Sequence, residues 1–310
     1  MNYYEALRSL AEPVEVKPGE TSYFSVASDE LDPRVMSSGR LRPEVRDAIL
    51  ILLFNHLKLG YNEPEAWATA WLAGSGVSYN WSAARTPADL DCLIGINYVQ
   101  FRQSNQEYKG WSDREIAAEI NQGFRNELHP RTDNFMGNFE LTFYVNSQSD
   151  ITKLKPYAAY SVTNDAWVVP PSQLQAPAVP EWGKAVEYDV NMANQIIKRY
   201  TDALNGVRSA QGPAAILNHE AALKNAVEQG AALFDSIHET RGESFSEGGE
   251  GYQGFSNYRW QAGKASGMIQ ALKKLKDVSR NSQQIFATET YGVELPDVDT
   301  LIRRASKSQH

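Results

Sequence analysis

Apolar positions recur at two different intervals along this chain, and each change of interval marks a change of element. In residues 2–11, Tyr4, Leu7 and Leu10 stand three apart, which predicts a short helix. Residues 13–42 lose the period: Pro13, Pro18, Gly19, Pro33, Ser37, Ser38 and Gly39 read as loop chemistry, with a brief strand at 22–26. A segment so long without regular structure is expected to wrap another element or form a lid. Pro43 suits a first helical position. Ala48, Leu52 and Leu53, with Val45, Ile49 and Phe54 widening the stripe, predict a helix over 43–59 that Gly60 ends.

The interval then shortens to two. Residues 66–73 predict a strand, 76–87 a connection, and 89–99 a second strand with Leu90, Cys92 and Ile94 on one face. Ser112 and Glu115 form a capping box before Ile116, Ile120 and Phe124, which predicts a helix over 113–127. A polar loop over 129–138 leads to a strand in which Phe139, Leu141, Phe143 and Val145 alternate with Glu140, Thr142 and Tyr144. Residues 158–169 continue the alternation through Tyr160, Val162, Ala166 and Val168.

Four prolines within residues 170–180 mark an extended connector. Beyond it the helical interval returns: a helix over 184–203 closed by Asn205-Gly206, one from Pro213 to about 240, and a third over 257–278. Residues 241–254, rich in glycine and glutamate, read as a mobile acidic loop, and the polar tail beyond about 303 as frayed. The expected organisation is an N-terminal helix and wrapping loop (1–42), an α+β unit with a mixed sheet flanked by helices (43–170), a Pro-rich linker (171–183) and a helical domain (184–310).

Composition adds bounds. With 310 residues and 42% hydrophobic content the chain can bury one large core or two modest ones. A formal net charge of −8 argues against a general polyanion binder, so long nucleic acid is a disfavoured partner. The one cysteine, Cys92, excludes an internal disulfide and falls on the expected core face of its strand. No apolar run is long enough to span a bilayer and no leader pattern opens the chain, so the expected setting is cytoplasmic, without a membrane partner.

The candidate chemistry lies between residues 71 and 96. Asp89 and Asp91 alternate on one strand and so project the same way. Side-by-side carboxylates repel, a divalent cation relieves that repulsion, and oxygen-only ligands suit Mg2+. Gly74-Ser75, just before, offers backbone N–H groups and a hydroxyl with little bulk, a turn able to cradle phosphate. Ser78 and Ser82 extend that turn and read as surface serines. His129 has no second His or Cys beside it and reads as a loop histidine.

A strand, Gly-Ser, a helical segment, Asp-x-Asp on the next strand and a carboxylate on a later one, over about residues 45–170, resembles the nucleotidyltransferase superfamily with the DNA polymerase β-like palm. The best match for the third carboxylate is Glu140, longer than the usual Asp; Asp165, beside the turn-favouring Asn164, ranks below it. The resemblance implies two Mg2+ ions held by Asp89, Asp91 and Glu140, one orienting a triphosphate and one activating an attacking hydroxyl. It implies an NTP such as ATP as substrate, phosphates held by Gly74 and Ser75, and pyrophosphate as leaving group. A helical domain beside such a palm often contacts the nucleotide. That makes Lys264 a triphosphate partner and Asn257 a base or sugar contact, against the plainer reading of a solvated helix face. The acceptor implied is a small molecule, a nucleotide or a protein hydroxyl, with RNA a weaker expectation that would use Lys273, Lys274, Lys276 and Arg280. Two other readings use the same residues: a metal-dependent sugar-nucleotide glycosyltransferase, which needs neither the Gly-Ser turn nor Glu140, and a catalytically silent nucleotide-binding module.

Overall fold

The computed structural model describes residues 2–18, 28–81, 87–146, 149–172, 176–246 and 248–292. The strand expected at 22–26, Ser82 and the tail beyond 303 lie outside these residues. In chain order the described elements begin with α1 (Tyr3–Leu10), β1 (Met36–Ser37), β2 (Arg40–Leu41), α2 (Pro43–Gly60), α3 (Pro64–Trp67), β3 (Ala68–Ala73) and β4 (Ala88–Ile96). They continue with α4 (Tyr98–Ser104), α5 (Asp113–Gly123), β5 (Phe139–Val145), β6 (Ala159–Ser161) and β7 (Ala166–Val169). The last four are α6 (Pro180–Ser209), α7 (Pro213–Ser244), α8 (Phe255–Ala265) and α9 (Met268–Tyr291).

The chain divides into two compact units. Among the described residues, one holds those within 23–176 and 244–254; the other holds those within 1–22, 177–243 and 255–297. The N-terminal helix, expected to stand with a wrapping loop of its own, therefore groups with the helical unit, and residues 244–254 group with the sheet unit.

The sheet unit is α+β. Among the described residues its five-stranded mixed sheet runs β5-β4-β3-β6-β7, with β4 and β5 parallel and the other neighbours antiparallel. The alternation in the sequence explains its two faces. Leu72, Leu90, Cys92, Ile94, Leu141, Phe143 and Tyr160 join Val45, Ile49, Leu53 and Leu57 of α2 and Ile116 and Ile120 of α5 in one core. Each of these side chains is at most 1% exposed, so this face is the driving apolar burial of the unit. The capping box at Ser112 forms as its sequence predicts: Glu115 N donates to Ser112 Oγ, and Ser112 N donates to Glu115 Oε2 at 2.8 Å.

Strand β5 lies at the outer edge of the sheet, yet its backbone is occupied. Val145 N donates to Asn121 Oδ1 (2.7 Å), Phe143 N to His129 Nε2 (3.0 Å) and Leu141 N to Thr132 O (2.9 Å). Thr132 Oγ1 donates to Leu141 O at 2.6 Å. An open edge invites pairing with another chain, and these side chains close it.

Several expected boundaries shift, each for a local reason. The strand predicted to reach 99 ends at Ile96, because the Asn97 side chain accepts from Gln100 N and caps α4. The strand over 158–169 is a hairpin of β6 and β7, turned at Asp165, which is left-handed with φ 52°. Pro180, assigned to the linker, is the first residue of α6. Gly206 does not end α6: a Cβ there would stand 2.2 Å from His219 Nδ1, so the glycine admits a neighbouring ring. The helix over 257–278 is two helices, broken at Gly267 with φ 80°.

The helical unit packs α1 and the segment after it (Leu7, Ala11, Val14) against Ile196, Tyr200 and Leu204 of α6, Leu223 and Val227 of α7, and Leu275 of α9. The Tyr200 hydroxyl donates to Glu12 O at 2.7 Å, which anchors that segment. Arg259, on α8, makes a two-point contact with the buried Asp189 of α6 at 2.6 and 2.8 Å. No described helix is long and apolar enough to cross a membrane.

Candidate functional site

The second face of the sheet carries the acidic residues. Because β4 and β5 run parallel in a register that pairs Asp89 with Glu140, Asp91 with Thr142 and Leu93 with Tyr144, all six side chains share that face. Asp89, Asp91 and Thr142 are half-buried and Glu140 is exposed. On the other side of β4, Ala73 pairs with Asp91, so β3 delivers the chain to Gly74 beside that carboxylate. A Cβ added at Gly74 would stand 3.7 Å from Asp91 Oδ2.

Gly74 has φ 85° and ψ −155°, a backbone shape that glycine adopts and other residues avoid. It turns the chain into a single 3-10 turn, Ser75–Val77, closed by Ser78 N donating to Ser75 O at 3.1 Å. Gly76 lies against β4: a Cβ there would be 2.5 Å from Leu90 Cδ2 and 3.3 Å from Asp89 O. The turn that offers N–H groups is therefore packed on the strand that carries the aspartates. Ser78 is fully buried; its hydroxyl donates to Ser75 O and accepts from Asn80 N, so it builds the turn.

Two neighbours were not assigned roles by the sequence. The Thr142 hydroxyl donates to Asp91 Oδ1 at 3.1 Å. Tyr144, one step further along β5, feels the whole acidic face. Burial first, then the Asp91 charge, push its phenol above the ordinary range; Glu140 and Asp89 add to the push, while a hydrogen bond with Thr142 opposes it. The signal was the period of two from Glu140, which puts Thr142 and Tyr144 on its face.

The remaining candidates lie on other elements or, for Cys92, on the core face of β4. Asp165 sits in the β6–β7 turn, where it accepts from the Tyr160 hydroxyl at 2.7 Å and lies 3.8 Å from both Arg40 and Arg46. His129, expected as a loop histidine, is half-buried and holds the β5 backbone through Nε2. Nε2 stands 3.0 Å from both Phe143 N, from which it accepts when unprotonated, and Phe143 O, to which it donates when it carries the proton; burial, the largest influence, lowers the ring's pKa against the opposing Phe143 contact. Cys92 is fully buried, and burial pushes its thiol far up, which leaves it inert. Asn257 and Lys264 lie on α8, in the helical unit. Asn257 is 2% exposed and its Oδ1 accepts from Arg241 Nε at 3.4 Å; the Lys264 ammonium stands 6.0 Å from the Trp260 ring. Lys276, from the basic cluster, donates to Asp235 at 2.6 Å.

Beyond the acidic residues the same face is apolar. Trp71, Ile151, Leu154 and Ala159 form a small core with Leu93, Val169, Phe245 and Tyr252. Gly95 makes room for it: a Cβ there would be 2.3 Å from Trp71 Cη2. Residues 241–254, expected as a mobile loop, instead continue α7 to Ser244 and then lay Phe245 and Tyr252 on this core. Gly251 permits that contact, since a Cβ there would sit 2.0 Å from Leu154 O.

The donor set on the acidic face is all oxygen, the kind Mg2+ takes. Among the described residues, however, no three His, Cys, Asp or Glu side chains are gathered closely enough to hold a metal ion by themselves. A scan against protein-family models, a search of curated proteins and a search of solved structures find no match to this chain.

Proposed function

We propose that the chain is a Mg2+-dependent nucleotidyltransferase that moves a nucleoside monophosphate from an NTP to a hydroxyl acceptor and releases pyrophosphate. The observation that carries the reading is the register of β4 with β5, which sets Glu140 across from Asp89 with Asp91 two residues on, and Gly74 beside the Asp91 carboxylate. The order β5-β4-β3 puts the Glu140 strand and the strand leading to Gly-Ser on either side of the Asp-x-Asp strand, which supports the palm reading.

In this reading Asp89, Asp91 and Glu140 would hold the metal; they share one face of the sheet, but the three carboxylates would have to draw together to do so. Bound Mg2+ would neutralise phosphate charge and lower the pKa of the attacking hydroxyl. Gly74 N–H and the Ser75 hydroxyl and N–H take the terminal phosphates, and the apolar cluster around Trp71 limits water on one flank. The acceptor oxygen forms a bond to the α-phosphorus as the bond to the β-phosphate breaks, so the protein's share is positioning and charge balance. The proposed site is confined to the sheet unit and does not include Asn257 or Lys264. The formal net charge of −8 favours a small-molecule, nucleotide or protein acceptor over long RNA.

A second reading, nucleotide binding without turnover, is favoured by the open spacing of the carboxylates, which are not gathered as a ready-made cluster. One experiment separates the two. Wild-type protein and the Asp89→Ala/Asp91→Ala double variant are incubated with each of the four NTPs and Mg2+, and products are read by mass spectrometry. Nucleotidyl transfer predicts pyrophosphate and an adduct from wild type, and a loss of more than about 100-fold in the double variant, beyond what losing a merely supporting contact costs. Incorporation that survives the double substitution would sink the assignment; binding without product supports the silent module.

A further inference from the structure

We propose that a polar hollow at the far end of the β3–β4 pair is a binding site for a neutral polyhydroxyl compound, a saccharide. The hollow measures about 640 Å³, within the range that small-molecule sites occupy. Strand register places it. Thr69 pairs with Gly95 at this end, whereas Ala73 pairs with Asp91 at the other. Thr69 and Gly95 both line the hollow, and the Trp71–Leu93 pair lies between them and Asp91. Four residues of strand, about 13 Å, thus separate Gly95 from Asp91. The proposal stands apart from the nucleotidyl-transfer reading and does not rest on it.

The charges at the hollow are committed within the protein. Of its two carboxylates, Glu65 pairs with Lys58 and Asp113 with Arg102. No Lys or Arg lines it. What remains is neutral. Among the described residues the Thr69 hydroxyl, the Tyr98 phenol and the Asn164 amide have no hydrogen-bond partner, although all three residues line the hollow. Thr163 Oγ1 accepts from Ala70 N at 2.8 Å and keeps its own proton to donate. Asn97 Oδ1 accepts from Gln100 N at 3.1 Å, which leaves its NH2 group. Burial first, then the Asp113 charge, push the Tyr98 phenol up to about 12 against the opposing Arg102, so at neutral pH it is a hydroxyl that both donates and accepts. A sugar hydroxyl also does both, and so matches amides and hydroxyls. A phosphate or carboxylate would instead need an uncommitted cation, and an ammonium an uncommitted carboxylate. The half-buried Tyr98 and the exposed Val99 add apolar surface for the C–H groups of a sugar ring.

The test is ligand-detected NMR titration of the full chain with glucose, galactose, N-acetylglucosamine and ribose, and with acetate and choline as an anion and a cation. At least one saccharide is expected to bind. Thr69→Val, Tyr98→Phe and Asn164→Ala each remove one hydrogen-bonding group, and each is expected to weaken that saccharide about 2- to 12-fold, the worth of one hydrogen bond. None of the three groups bonds within the protein, so the melting midpoint should stay that of wild type and weaker binding is not a folding defect. Weakening in at least two of the three variants supports the site. No saccharide bound by wild type, or weakening in fewer than two variants, overturns it. Acetate or choline bound more tightly than every saccharide overturns it as well, because the hollow would then select charge.

Discussion

Replacing Gly74 with alanine tests the turn on which the candidate site is built. The backbone at Gly74 has φ 85° and ψ −155°, a region that residues with a Cβ essentially do not occupy. Space is not the obstacle, because the nearest atom to the new methyl group would be Asp91 Oδ2 at 3.7 Å, an ordinary contact. The whole cost is therefore conformational, about 1–3 kcal/mol. It falls on the end of β3 and its pairing with β4, where Ala73 meets Asp91. Hydrogen exchange read by mass spectrometry localises the effect better than a global melt, since a chain of two units need not unfold in one step. At about 1–3 kcal/mol the protection of amides in 68–73 and 88–96 should drop by roughly 5- to 150-fold, while amides of α6 and α7 keep theirs. Unchanged protection in both strands, together with wild-type Mn2+ binding, would refute the claim that this backbone shape is needed.

Two further outcomes follow from groups outside the turn. Thr132→Val keeps the shape of the side chain but leaves Leu141 O without its 2.6 Å donor at a fully buried site, and should cost the sheet unit about 1–3 kcal/mol in denaturant titrations followed by exchange of β5 amides; no loss would show that water replaces the hydroxyl. His56, His129 and His238 all have pKa values lowered in the folded chain, burial being the largest cause for each. A depressed histidine binds fewer protons folded than unfolded, so its stability contribution is present above the unfolded value of about 6.5 and is lost as pH falls through the folded value. Thermal midpoints should be flat above about pH 7 and decline below about 6.5; a midpoint that rises on acidification over that window would contradict the burial of these rings.

The sheet was legible where the alternation was clean. Leu90, Cys92 and Ile94, then Phe139, Leu141 and Phe143, sit on the core face their period assigned, and Asp89, Asp91 and Glu140 share the other. What the period could not convey was where each run stops. Asn97 ends β4 by capping a helix, an event decided by one side-chain hydrogen bond. Gly206 reads in sequence as a helix terminator and Gly267 as the interior of a helix over 257–278, yet it is Gly267 that has a left-handed backbone and breaks the helix, while Gly206 leaves room for His219. His129 was read from its lack of metal-ligand neighbours, whereas its role depends on a strand backbone fourteen residues on. The grouping of residues 1–22 with the helical unit depends on contacts such as Tyr200 with Glu12, far apart in the chain and invisible to local patterning.

The excursion of residues 244–254 into the sheet unit bears on how the protein can be dissected. The proline-rich stretch near 176 looks like a natural place to cut. A fragment ending there would lack Phe245 and Tyr252, and would present Trp71, Ile151 and Leu154 to water as a greasy patch. The sheet unit is thus completed by amino acids encoded some seventy codons downstream of its apparent end. Any recombinant piece meant to report on the acidic face has to carry that downstream stretch, grafted or in full length.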